Sequence, residues 1–267
     1  MTATQRARVL KLMFALACAA IATFVYALFA KGALDGGTIA KAATLVGGEA
    51  SLYSRVGTSG FAAIAALVLL GLIAFKAARS ASLEIFFFSL WCFALCLELG
   101  APLAYFLSAG GEGMAFVSFA LRAGLFGRYL SFAALFSGSL FPAGLRSERA
   151  LALFWISLLG AMFFSSIHPL NQGTSGSLVT VEVGYGLIVG FMEIGLALLA
   201  AVNYCIAWRE NRDKTFLKAG IGAAACMAGA ALIRASTSLP MALMVIFLIS
   251  LGSWTHLRSL YAYYLWR

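Results

Sequence analysis

Apolar residues run along this chain in long blocks, broken by short polar stretches. A membrane-crossing helix needs about 20 mainly apolar residues. Eight segments meet that length: about 9–30, 60–78, 82–107, 114–141, 150–168, 184–207, 215–236 and 239–264. The expected fold is all-α: a polytopic transmembrane helix bundle of about eight spans (seven being the lower count), forming one transmembrane domain over 1–267. The first run, Leu12 to Ala30, exceeds the 7–15 residues of a typical signal-peptide core and reads as an uncleaved span. Ala17-Cys18 is a faint lipoprotein-type junction inside that run. Two polar stretches have substance. Residues 31–59 carry Gly36-Gly37 and Gly47-Gly48 around a segment suited to a short surface helix or an ordered cap. Residues 169–183 end in strand-like alternation from Ser177 to Val183.

Composition agrees with the pattern. The chain is 63% hydrophobic and 11% charged, against about 25% charged in ordinary soluble domains. The net charge of +9 does not imply a nucleic-acid partner, because the basic residues are scattered over short loops, where they set membrane orientation. With the N-terminus inside, the inner side carries Arg6, Arg8, Lys11, Lys76, Arg79, Arg146, Arg149, Arg209, Arg212, Lys214, Lys218, Arg258 and Arg267. The outer side carries Lys31, Lys41, Arg55 and Arg234. This bias puts both termini in the cytoplasm of a bacterial-type plasma membrane. Tyr204, Trp208, Tyr261, Tyr263, Tyr264 and Trp266 fall at the inner edge, where amphipathic rings are favoured.

Small residues predict where helices touch. The fourth span has Gly124, Gly127, Ser131, Ala134 and Gly138 on one face; the sixth has Gly186 and Gly190, followed by Glu193; the seventh has Gly222 and Gly229. Spans four, six and seven are therefore expected at the centre. Glu98, Arg122 and Glu193 lie inside spans, where a charge is costly and marks a candidate functional site. At about 1.5 Å rise per residue all three fall near one depth, so Arg122 between two carboxylates is the expected cluster. Pro102 has no N–H to offer the carbonyl of residue 98 and should loosen the helix beside the acid. Arg128, on a different face, is expected to have its own partner or a lipid headgroup, Arg234 to anchor the interface, and Glu84 to be interfacial.

The chemistry that would signal catalysis is thin. Cys18, Cys92, Cys96, Cys205 and Cys226 lie in spans without metal-ligand spacing, and His168 and His256 are predicted at opposite sides. Neither a metal nor a cofactor is expected. Gly173-Thr174-Ser175-Gly176 resembles the GxSG of rhomboid-type intramembrane proteases over four residues only; a serine there would need a base within reach, and a polar turn explains the same residues. A retinal-binding lysine would sit in mid-helix, whereas Lys218 lies at an edge. The expected partners are the lipid bilayer, a membrane or cytoplasmic protein, and a small-molecule ligand. Three readings follow: a non-enzymatic sensing or membrane-subunit module, a transporter or permease subunit using Glu98, Arg122 and Glu193, and, ranked last, a lipid-modifying enzyme.

Overall fold

In the computed structural model, residues 2–30, 35–77, 82–175, 178–184 and 186–265 are described. Lys31, Arg79, Gly176, Ser177, Trp266 and Arg267 lie outside them. The elements, in order, are α1 (Ala3–Ala30), α2 (Gly36–Leu45), α3 (Glu49–Leu72, extended by a π turn over Ile73–Ala77), α4 (Leu83–Leu97), α5 (Gly100–Ala109), α6 (Met114–Ser139), α7 (Ala150–Ile167), β1 (Leu170–Ser175), β2 (Leu178–Val183), α8 (Gly186–Asn211), α9 (Lys214–Ile233) and α10 (Leu239–Leu265). Among the described residues, eight helical segments are long and apolar enough to cross a membrane, with α4 and α5 together forming the third. The protein is an all-α polytopic membrane bundle. Among the described residues the strands form one antiparallel hairpin, which pairs Leu170 with Val183 and Ser175 with Leu178. We call the end carrying this hairpin the hairpin end and the other the far end.

The second span begins at Glu49 rather than near residue 60. Its first turns are polar but look inward. The Thr58 hydroxyl donates to the Ser54 carbonyl at 2.9 Å, and Ser54 Oγ lies 2.6 Å from Ser236 Oγ and 3.0 Å from the Ser238 carbonyl. That carbonyl can only accept, so Ser54 donates to it and receives the Ser236 hydrogen. Hydropathy alone misses a helix whose polar groups are satisfied from within. The loop before it is an ordered cap: Ala42 and Ala43 of α2 pack with Leu52, Phe106 and Ala109. α2 ends on Gly47 at φ 85°, and the Gly48 N–H returns to the Ala43 carbonyl at 2.8 Å. This closure needs a left-handed residue, which glycine supplies without a Cβ clash.

The centre of the bundle is α4 with α6, the third and fourth spans; of the spans expected there, the sixth, α8, lies at the outside. Every residue of α4 from Glu84 to Cys96 is buried. A helix apolar on all sides is an interior helix, and Phe86, Phe87, Phe88 and Trp91 fill that interior. By contrast, α8 exposes Leu187, Ile188, Phe191, Ile194 and Leu198, and α7 exposes Ile156, Leu159 and Phe163. These faces meet lipid.

Glycines decide how closely the inner helices approach. A Cβ on Gly124 would sit 2.8 Å from Ala101 N, one on Gly127 2.6 Å from the Ala94 carbonyl, and one on Gly138 3.2 Å from Phe87 Cβ. Ser131 is fully buried and donates to the Arg128 carbonyl. The face of α6 that carries these residues is thus its seam with α4 and α5. Gly222 would meet His256 N at 2.5 Å and Gly229 would meet Ile249 Cγ1 at 2.7 Å, so both sit at the seam between α9 and α10. Gly186 and Gly190 do not serve as packing residues: a Cβ at either meets nothing within 4 Å. The GxxxG spacing lies on a helix whose neighbours stand farther off.

This contrast is testable. Gly222→Ala should destabilise by about 1–3 kcal/mol, the usual cost of overpacking, seen as a lower Tm in detergent. Gly190→Ala should leave Tm unchanged or raise it, because alanine favours helix and no contact opposes it.

Candidate functional site

The deepest charge pair joins α6 to α8. Arg128 lies on the same face of α6 as Gly124 and Ser131, at i+4 and i−3, and is 8% exposed; Glu193 is 4% exposed. Arginine side chains lean toward the N-terminus of their own helix, which here is the hairpin end. That direction carries the guanidinium to Glu193, two turns into α8. The pair is bidentate, with Arg128 Nε donating to Glu193 Oε1 and Nη2 to Oε2 at 2.8 Å. Nη2 also reaches the Ala231 carbonyl of α9 at 3.4 Å. One guanidinium therefore ties three helices together.

Arg122 does not join this cluster. It stands six residues away, about 120° around the helix, and its Nη1 donates to the carbonyls of Ser165 at 2.7 Å and Ser166 at 2.5 Å. These belong to the last turn of α7, whose carbonyls have no partner within their own helix. Arg122 thus caps α7, and Arg128 holds the position expected of it.

Glu98 lies at the break between α4 and α5. The break is a tight turn: Glu98 N–H returns to the Leu95 carbonyl at 3.2 Å, and Ala101 N–H to the Glu98 carbonyl at 3.1 Å. The expected free carbonyl beside Pro102 is therefore taken, because the chain tightens by one residue around the missing proline donor. The carboxyl is what is left over. It is 1% exposed, and neither oxygen has a hydrogen-bond partner.

Above Glu98, on the same face of α5, come Ala101 and Tyr105. Both line a cavity of about 540 Å³ whose other walls are the α2–α3 turn at Leu45–Gly47, Leu121 of α6, Val183 of β2, Gly186 and Val189 of α8, and three arginines, Arg55, Arg128 and Arg234. Arg234, expected as an interface anchor, lines the cavity, and the Ser54–Ser236 bond holds the turn after it against α3. Arg55 Nη1 donates to the Tyr105 hydroxyl at 3.2 Å. Four N–H positions remain buried without a partner: Arg55 Nε, Arg128 Nη1, and Arg234 Nε and Nη2. Buried donors that lack acceptors are costly, and all four belong to residues that line this one cavity, which is of a size suited to a small ligand. Three arginines line the cavity, and of these Arg128 is paired with Glu193.

The hairpin closes over this region through His168. Its Nε2 lies 2.6 Å from the Gly184 carbonyl and its Nδ1 lies 2.7 Å from the Tyr129 hydroxyl. The carbonyl requires Nε2 to donate, leaving Nδ1 to accept from Tyr129 in the neutral ring. His168 is thus a clasp between α6 and the hairpin. Thr174 and Ser175 lie in β1, paired with Val179 and Leu178. His256 is also structural: Nδ1 donates to the Ala219 carbonyl at 2.8 Å, and the ring packs on Phe88 and Tyr204. Glu84 is buried rather than interfacial and accepts from the Tyr264 hydroxyl at 2.5 Å.

Two signals in the chain point to the residues that hydropathy reading overlooks. Arg128 follows Gly124 by four and precedes Ser131 by three, which puts it on the inward face. Tyr105 follows Glu98 by seven. Arg55 and Arg234 gave no such sign, because Arg55 sits where a polar loop was expected and Arg234 at the outer end of the seventh expected span.

Removing one partner of a buried ion pair leaves a bare charge and typically costs about 3–5 kcal/mol, whereas replacing both with apolar residues can be neutral. Glu193→Leu alone should therefore lower Tm sharply, and Arg128→Met with Glu193→Leu should recover most of the loss. Denaturation of both variants in detergent checks this. No family model matches the chain, and no curated protein matches it.

Proposed function

We propose that this membrane protein is a non-enzymatic sensing module that binds a small anionic ligand, bearing a carboxylate, phosphate or sulfate group, in the arginine-lined cavity. The observation that carries the reading is that three arginines line one cavity and hold among them four buried guanidinium nitrogens without a partner. Planar guanidinium forks match such oxyanions. Glu193 already occupies one edge of Arg128, so Arg234, with two open donors, is the main contact and Arg55 the second. The apolar wall from Leu121, Val183 and Val189 accommodates a short carbon skeleton.

On this reading the termini face the cytoplasm and the cavity faces outward. Arg55 and Arg234 belong to the cavity rather than to the loops, so the basic bias of the far end is sharper than a count of loop residues gives. The output passes to a partner protein through the far end.

A second reading, a transporter or permease subunit, is favoured by one feature: the helix break at Glu98 lies directly below the cavity. Interrupted helices at mid-depth are a common form of transport site. Of the three residues expected at such a site, Glu98 and Glu193 remain and Arg122 is replaced by Arg128.

Two measurements separate these readings. In phosphatidylcholine nanodiscs, sulfate or succinate should raise Tm in a saturable way, and Arg234→Gln should weaken that effect at least tenfold. An unchanged titration in Arg234→Gln would remove the cavity from consideration. In liposomes, a transporter would take up radiolabelled succinate and lose uptake in Glu98→Gln; a sensing module would show saturable binding and no uptake in either form.

A further inference from the structure

A second hollow lies on the outside of the bundle, away from the arginine cavity. It is a groove of about 760 Å³ between α3 and α10, which pack against each other. Its walls are apolar for most of their length, with Val68 and Leu72 on one side and Trp254 and Leu257 on the other. Trp254 is 65% exposed and Val68 56% exposed, so the groove opens toward lipid.

Its dimensions match one leaflet. The two helices run in the same direction, toward the far end. On α3 the lining extends from Ala65 to Lys76, a rise of about 16 Å at ~1.5 Å per residue. On α10 it extends from Ile249 to Tyr261, a rise of about 18 Å by the same measure. Half the hydrocarbon thickness of a bilayer is about 15 Å. The groove thus reaches from mid-membrane to the headgroup level, the length of one acyl chain.

Its chemistry changes at the far end. There Lys76 and Arg258 come from opposite walls, with Tyr261 beside them. Both cations are exposed, and among the described residues neither has an acidic partner. The wall is also locally remodelled, because Ile73 and Lys76 belong to the π turn at the end of α3. A π turn inserts a residue into the helix and re-aims the side chains after it, and such turns recur at functional positions. Two unpaired cations at the headgroup level, above an apolar channel one chain long, complement a single kind of occupant.

We infer that the α3–α10 groove is a binding site for one anionic glycerophospholipid, with an acyl chain along the groove and the phosphate between Lys76 and Arg258. Tyr261 supplies a hydroxyl at the same level. The occupant comes from the leaflet at the far end, which on the proposed orientation is the cytoplasmic one, where anionic lipids give a negative surface potential. The inference stands independently of the arginine cavity.

The test uses the full chain in nanodiscs of phosphatidylcholine mixed with phosphatidylglycerol, released gently for native mass spectrometry. The wild type should retain one phosphatidylglycerol at least tenfold over its share of the mixture. Lys76→Gln with Arg258→Gln should abolish that preference. Arg146→Gln with Arg149→Gln, a charge-matched pair at the far end outside the groove, should keep it. Ala65→Leu with Ser250→Leu, which fills the deep part of the groove and leaves both cations, should also lose the bound lipid. Equal retention of the two lipids by the wild type would overturn the site. So would loss of the preference in the Arg146/Arg149 pair, since that outcome marks a general basic surface. The Tm of each variant in phosphatidylcholine alone establishes that it is folded.

Discussion

A guanidinium placed at mid-depth in a membrane must be paired, and the pairing of Arg128 with Glu193 organises the hairpin half of this protein. The cost of leaving either charge alone in a medium without water is large, so α6 and α8 cannot separate. Because the same guanidinium reaches the Ala231 carbonyl, α9 is held to the same point. The Arg234 turn follows α9 directly, and Ser54 and Ser236 fasten that turn to α3. The cavity is the space enclosed by these ties. On this side α8 meets α6 through the long Arg128–Glu193 contact, whereas its close glycine contact, Gly220 of α9 against Tyr204, lies toward the far end.

Close packing governs the other half. α4 is encased on every side; α6 lies against it through Gly127 and Gly138 and against α5 through Gly124. α9 and α10 meet through Gly222 and Gly252 so closely that a Cβ on either would strike the other helix's main chain. Lipid offers no hydrophobic drive for helices to associate, and close backbone approach supplies dispersion contacts in its place. The bundle therefore has a rigid, dry layer toward the far end and an open, charged chamber toward the hairpin end.

The chemistry of individual residues follows from the same division. His256, Tyr204 and Cys226 are enclosed in the dry layer and serve packing. His168 stands at the border, where its two nitrogens fasten the hairpin to α6. Glu98 sits at the boundary between layers, at the one place where a long central helix tightens and restarts. It is the buried acid that the surrounding contacts leave unsatisfied, directly beneath the chamber.

Much of the architecture was legible in the residues alone. Apolar runs of span length can be solved in lipid only by helices, so the class and the membrane setting follow from hydropathy. The inward faces of α6 and α9 could also be read, because glycine spacing at helical period reports close approach. Sequence could not decide which small-residue faces find a neighbour: Gly186 and Gly190 have the right spacing and open space around them. Nor could it decide which arginine faces Glu193, since Arg122 and Arg128 share a helix and differ in rotation and by about 9 Å in height. Arg55 and Arg234 resembled interfacial cations until the fold brought residues nearly 180 positions apart to one cavity. Periodicity along one helix is local information, whereas the pairing of charges depends on how helices are rotated and offset against one another, and only tertiary packing sets that.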